Sequence, residues 1–263
     1  VIAELQGKKI GYVHVFDVFY TSEYYVWQLR ELRRDKSIGG VLMRIESPGG
    51  GVAPSQEIYK EVLRYRQEQK PLVVSMGNVA ASGGYYIASP AMKIFANPGT
   101  ITGSIGVIFR FPQYYKLMEK VGVNIETLKA GKFKDMGTPH RRMSKQERNL
   151  LQKVIDDTHE QFIADILAAR PMDADSLKDM ADGSIFTGRQ AVERGLIDSL
   201  GGYEDALAYL RTYLGISDKA HVVEKRKREV FWKDILSEGF SNVIPFIKAF
   251  RQPAGAYYLF EAY

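Results

Sequence analysis

The apolar residues of this chain fall into short runs separated by glycine turns and by segments of helical period. Lys9–Val15 is the first strand-like run, and Gly39–Glu46 and Pro71–Met76 are two more. Each is too short for a helix and lacks a solvent-facing alternation, the pattern of a strand buried on both faces. Between them, Ser22–Asp35 carries Tyr25, Trp27, Leu29 and Leu32 among charged neighbours, and Pro54–Arg66 repeats the pattern. Thr21 or Ser22 is the expected N-cap, with Glu23 in the first turn. Tyr85–Ser89 continues as a helix after the third strand. Repeated strand–helix alternation predicts an α/β fold with a mainly parallel sheet and flanking helices. Further on, the pattern predicts a short helix near Gln113–Val121 and a strand over Val123–Leu128. Ser144–Ala169 is the longest helix, opened by the capping box Ser144-Lys-Gln-Glu147 and striped by Leu150, Leu151, Val154, Ile155, Phe162, Ile163 and Ile166. That stripe is expected in the core or at a subunit contact. Phe186–Leu196 reads as a capped short helix ending at Gly195, and a last helix runs to Leu214.

The pattern changes after Gly215. A charge run, Glu224–Glu229, precedes the amphipathic stretches Phe231–Leu236 and Val243–Phe250 and the aromatic end Tyr257–Tyr263. We therefore expect a main domain over 1–215 and an extension over 216–263. The charge run is read as a solvated linker. An aromatic end is costly in water, so it is expected against a neighbouring subunit or in a substrate groove.

Composition narrows the possibilities. At 263 residues, with 45% hydrophobic and 25% charged residues, the chain can bury a large core as one domain. It has no cysteine, which excludes disulfides, thiolate nucleophiles and cysteine-bound metals. A net charge of +5 is only mildly basic, and the single basic run lacks a nucleic-acid motif, so no nucleic-acid partner is expected. No apolar run reaches the roughly 18 residues of a membrane span. The first residue is Val1, so a longer protein is an open expectation.

The chemistry concentrates in two glycine-rich turns. Asn78-Val-Ala-Ala-Ser-Gly-Gly-Tyr-Tyr86 puts Ser82 where a strand gives way to a helix, among residues small enough for a sharp bend. Free N–H groups and the positive helix end would face an oxyanion forming there, as at an activated serine nucleophile. Ser47-Pro-Gly-Gly-Gly51 follows the second strand, and Gly49 or Gly50 could supply a second backbone donor beside the N–H of Gly83. Both turns lie at carboxyl ends of strands, where α/β sheets collect ligands. A serine also needs a base. Of the four histidines, His14 lies in a strand, His159 in a polar helix that reads as solvated, and His221 in the tail. His140 is the histidine in a loop. Lys129, Lys132 and Lys134 are the alternative, and spacing alone does not choose among them.

Glu46-Ser-Pro-Gly-Gly-Gly51, Met76–Tyr86, Thr102-Gly-Ser-Ile-Gly-Val107 and Lys129-Ala-Gly-Lys-Phe-Lys-Asp135 occur in that order. Together they resemble the bacterial signal peptide peptidase A (protease IV) family, short single-repeat type, over about Lys8–Leu214. The resemblance implies a ClpP/crotonase-like fold and a serine endopeptidase with a Ser–Lys dyad acting on apolar extended peptides, chiefly residual signal peptides. It implies Ser82 as nucleophile, Lys134 as general base, Ser104 as the hydroxyl that orients the lysine, and Gly49 and Gly83 as oxyanion donors. It further implies a homo-octamer in which neighbouring subunits share each dyad. An amino-terminal anchor outside the sequence would hold the protease domain on the extracytoplasmic side of the cell membrane. No cofactor or metal is expected. A hydroxyl suits a buried lysine because it accepts a hydrogen bond without adding charge, whereas a carboxylate would raise the lysine pKa. Asp135 is therefore expected to point away from Lys134. The alternative is a crotonase-like acyl-CoA enzyme or a non-proteolytic scaffold built on the same turns.

Overall fold

The computed structural model describes residues 8–226 and the backbone of 257–259. The amphipathic stretches Phe231–Leu236 and Val243–Phe250, and most of the aromatic end, lie outside the described residues.

The predicted alternation is present. Strand β1 (Lys9–Phe16) leads through helix α1 (Glu23–Arg34) to β2 (Ile38–Ser47), and the short β3 (Gly49–Gly51) leads to α2 (Val52–Gln67). Strand β4 (Leu72–Ala81) ends at α3 (Gly83–Ala88), followed by β5 (Lys93–Ala96) and β6 (Ile101–Gly103). After α4 (Tyr115–Lys120) and the long α5 (Lys145–Ala169) come α6 (Ala174–Met180), β7 (Ile185–Thr187), α7 (Gly188–Glu193), β8 (Ser199–Leu200) and α8 (Tyr203–Leu214).

The main sheet has the order β7-β6-β4-β2-β1-β9, where β9 is Val222–Glu224. All its pairings are parallel except β6 with β7. Strand β4 divides its edge: Val73–Met76 pairs with β5, and Val79–Ala81 pairs with β6. The split lets β4 carry its carboxyl end past the neighbouring strands into the site. One sheet face packs Val13, Val15, Ile45 and Met76 against Leu29, Tyr59, Tyr86 and Phe162 from α1, α2, α3 and α5. The other face packs Ile10, Leu42, Val73 and Phe95 under Ala206, Leu207 and Leu210 of α8. Burial on both faces explains why these strands read as continuous apolar runs.

Several expectations need correction. Val123–Leu128 is not a strand: the segment is irregular and exposed, Leu128 by 91%. Its alternation is strand-like, but among the described residues no neighbouring strand satisfies its backbone groups. Ser22 occupies the N-cap of α1, yet its hydroxyl bonds Glu57 and does not cap the helix. The stripe of α5 is buried at Phe162 and Ile166, while Leu150 and Val154 near its start are exposed. The capping box at Ser144 and Glu147 is formed as read. The extension beyond 215 adds β9 to the main sheet beside β1.

Candidate active site

Strand β4 ends at Ala81, and the chain turns so sharply at Ser82 that its φ is +52° and ψ is −117°. A side chain in that region costs on the order of 1–3 kcal/mol and persists only where surrounding contacts enforce it. Two backbone bonds do so. The Ser82 N–H donates to the Gly103 carbonyl at 2.8 Å, and the Ser82 carbonyl accepts the Tyr86 N–H at 2.8 Å as the first bond of α3. Ser82 is buried, and its Oγ has no hydrogen-bond partner. A buried hydroxyl normally finds one, and among the described residues this one has none.

Register brings Ser104 beside it. Ala81 pairs with Gly103 at the end of the β4–β6 ladder, and the next residues are Ser82 and Ser104. Ser104 also has a φ of +52°, and its N–H donates to the Ser184 carbonyl at 2.7 Å. Thr102 Oγ1 donates to the Ala80 carbonyl at 2.7 Å and fastens the two strand ends together.

The second turn approaches from β2. Ser47 pairs with Ala80, and a Cβ placed on Gly84 would lie 2.7 Å from the Ser47 carbonyl oxygen. Glycine at 84 therefore lets the two turns touch. Gly49 has a φ of +118°, and its N–H donates to Ser47 Oγ at 3.1 Å. Ser47 Oγ in turn donates to the Asp17 carbonyl at 2.6 Å. Strand β3 is flanked on one side by Phe19, which bridges to Gly50. On its other side lies β10 (Tyr257–Leu259), antiparallel, with Tyr257 opposite Gly51 and Leu259 opposite Gly49. A carboxy-terminal segment of the chain is thus an added strand on the glycine turn.

Lys134 is not part of this cluster within one chain. It lies exposed in the turn over 131–137, its N–H donating to the Gly131 carbonyl at 3.2 Å. The absence of any partner on Ser82 Oγ means the Lys134 ammonium does not reach it in the same chain. Lys132 donates to Gln146 Oε1 at 2.6 Å, and Lys129 pairs with Asp135. As expected, the Asp135 carboxylate is occupied away from Lys134: Arg141 and Lys129 bind it and hold its carboxyl well below the usual carboxylate range. The arm over 106–143 exposes Leu117, Val121, Val123, Ile125 and Leu128.

No histidine takes the place of a base. His140 meets Thr138 Oγ1, and the buried Nε2 of His14 has no partner. His159 is half-buried and not solvated: its Nε2 lies 3.3 Å from the Ile105 carbonyl, next to Ser104. A carbonyl only accepts, so that nitrogen carries the proton. Sequence periodicity could not have found this contact, which depends on how α5 crosses the end of β6. Among the described residues no group of His, Asp and Glu could hold a metal ion. Neither the 470 Å³ cavity beside Phe109 and Ile155 nor the 540 Å³ cavity beside Lys70 and Arg170 is lined by Ser82. No helix among the described residues is long and apolar enough to cross a membrane.

Comparison with known proteins places the chain in a family. The chain is 40% identical over 205 residues, 78% of its length, to an Enterococcus faecium protein provisionally named signal peptide peptidase SppA. It is 35% identical over 181 residues to Protease 4 of Salmonella typhi, covering 69% of this chain and 29% of that one. The chain spans between 59% and 65% of the length of the first three curated relatives it matches. Among solved structures, a ClpP1 mutant from Listeria monocytogenes aligns over 78% of this chain and 96% of that chain, with a TM-score of 0.49 and 17% identity. The family model for Peptidase family S49 matches residues 64–217, more than half of the sequence and including Ser82, Ser104 and Lys134. The chain belongs to the S49 peptidases, the family of signal peptide peptidase A and protease 4.

Proposed function

We propose that this chain is a serine endopeptidase in which Ser82 attacks the peptide carbonyl and Lys134 of a neighbouring subunit is the general base. The observation that carries the reading is the Ser82 hydroxyl, buried at a strained strand-to-helix turn without a partner. A neutral Lys134 would take the Ser82 proton as Oγ bonds to the carbonyl carbon. The N–H groups of Gly83 and Gly49 would hold the resulting oxyanion, the latter exchanging its bond to Ser47 Oγ for the substrate. Lys134 would then protonate the leaving amine, and water would release the acyl group. Ser104 would orient the lysine, since it neighbours Ser82 by register.

A lysine acts as a base near neutral pH only when burial or a nearby cation lowers its pKa. The exposed turn of a single chain does not provide the burial. A second copy covering the apolar arm would, which supports a ring of like subunits, an octamer in the short members of this family. The form of substrate follows from β10: an extended segment already lies antiparallel on Gly49–Gly51, the edge-strand mode of peptide recognition. Residual signal peptides, being apolar and extended, fit that mode, and the Enterococcus relative carries that activity in its name. A membrane anchor outside the sequence, with the protease domain on the extracytoplasmic side, belongs to the same reading.

Subunit mixing tests it. Ser82→Ala and Lys134→Ala are each expected to abolish turnover of an apolar chromogenic peptide while leaving assembly intact. Co-assembling the two inactive chains should restore about a quarter of wild-type activity, the fraction of contacts that join an intact serine to an intact lysine in a cyclic ring. No recovery in mixed oligomers of verified composition would refute a shared dyad. Failure of a fluorophosphonate probe to label Ser82 would favour the acyl-CoA or scaffold alternative.

A further inference from the structure

We propose that Arg141 is a positioning residue for the Lys134 base, its guanidinium holding the adjacent Asp135 carboxylate and tying the turn that bears both residues to the start of α5. The inference rests on the reading of Lys134 given above.

The difficulty it addresses is set by the sequence. Lys134 and Asp135 are consecutive, and a carboxylate within reach of a lysine stabilises its charged form, raising the pKa by about one to three units. Each unit removes about nine-tenths of the neutral amine near neutral pH, a tenfold loss of usable base. The turn therefore needs a stronger claim on that carboxylate than Lys134 has.

Arg141 supplies it. Its Nε donates to Asp135 Oδ2 at 2.8 Å, and its Nη2 lies 2.8 Å from Oδ1. This two-pronged geometry is the strong form of an arginine–carboxylate pair. Nη2 also donates to the Asp135 carbonyl at 3.3 Å, and Lys129, just before the turn, holds Oδ1 as well. Both carboxylate oxygens are thus engaged by cations other than Lys134.

The guanidinium grips a second carboxylate with its remaining donors. Nη1 donates to Glu147 Oε2 at 2.9 Å, and Nη2 also binds Glu147. Glu147 is buried and fixed by the capping box: it accepts the Ser144 N–H at 2.7 Å, and its own N–H donates to Ser144 Oγ at 3.2 Å. A continuous path of bonds therefore runs from the Lys134 turn through Asp135, Arg141 and Glu147 into a long helix. Lys129 and Arg141 balance Asp135 and Glu147, so the cluster adds no net charge beside the base. Other titratable groups around the turn include Lys132 on the turn, His140 in the returning loop and Lys153 on α5. None of these is an anion, whereas Asp135 is the carboxylate next to Lys134 in the chain.

The test is the pH profile of kcat/KM for the assembled enzyme with a chromogenic apolar peptide. Arg141→Met should move the acidic limb upward by about one unit, a loss of about tenfold at pH 7. Adding Asp135→Asn to it should return the limb to its wild-type position, although the turn is looser. If Arg141→Met does not assemble, Arg141→Lys is read instead. It keeps the charge but not the fork, and a smaller upward shift, again removed by Asp135→Asn, is expected. An unshifted limb, or a shift that Asp135→Asn does not reverse, overturns the inference. Lys134→Ala separates the two readings. An active Lys134→Ala enzyme refutes the base itself, whereas an inactive one with an unshifted Arg141→Met profile refutes only the role of Arg141.

Discussion

Gly84→Ala tests the contact between the two turns on which the site depends. The new Cβ would lie 2.7 Å from the Ser47 carbonyl oxygen, where ordinary contact begins near 3.4 Å, so it is short by about 0.7 Å. The obstacle is backbone on both sides, and no side chain can swing away. Alanine gains about 1 kcal/mol over glycine inside a helix, against about 1–3 kcal/mol for overpacking. The net cost to stability is therefore small, about 0–2 kcal/mol. The cost to catalysis is larger, because the strain is relieved by moving Ser47-Pro48-Gly49 away from Ser82. A misplacement of about 1 Å costs about a hundredfold in rate, so kcat/KM should fall about 30- to 100-fold. Peptide turnover and thermal unfolding measured on the same preparation check both numbers. Gly99→Ala, whose Cβ would meet nothing within 4 Å, is the control and should change neither. If Gly84→Ala lost stability but kept wild-type kcat/KM, the abutting turns would not be part of the catalytic geometry.

Deleting residues 257–263 removes β10 from the Gly49–Gly51 edge. The KM for an apolar peptide should drop severalfold as a competing strand is lost, and an unchanged KM would mean that substrates bind elsewhere. Phe162→Ala empties a fully buried site whose ring meets Tyr86 edge-on at 4.7 Å. It should cost about 3–5 kcal/mol in denaturant unfolding, and less than about 1 kcal/mol would contradict the packing. Arg141 and the Ser144 backbone hold the Glu147 carboxyl down from 4.5 to about 2. A depressed folded-state value gives stability that is present above 4.5 and fades as pH falls towards 2. Amide exchange at the start of α5 should therefore accelerate over that window, and a flat profile would refute the pairing.

The parts of the fold legible in the sequence are those where one local rule decides the structure. Val41–Ile45 and Leu72–Met76 read as buried strands because both sheet faces are covered, and Ser144 with Glu147 formed the capping box their spacing requires. The Ser82 turn was legible because only small residues pass through such a bend. What failed depends on distant partners. Val123–Leu128 has the alternation of a strand but, among the described residues, no strand to pair with. Ser22 has the right identity for a cap, but Glu57, 35 residues away, takes its hydroxyl. Strands β9 and β10 are three residues each, too short to leave a period. The bond from His159 to Ile105 spans 54 residues and follows from how a helix crosses a strand end.

The two halves of the proposed dyad are built by different physics. Ser82 and Ser104 are fixed by register in a parallel sheet, and the cost of two residues at φ +52° is met by a core that is complete in one chain. Lys134 sits on an arm that exposes Leu117, Val121, Val123, Ile125 and Leu128 and is tied to α5 by an ion-pair chain. Burial of such an arm against the proposed second copy would be favourable, since about 25 cal/mol is recovered for each Å² of apolar surface removed from water. The same burial would strip water from the lysine and favour its neutral form. On this proposal assembly and activation of the base would be one event, and a dissociated subunit would hold its nucleophile without the means to deprotonate it.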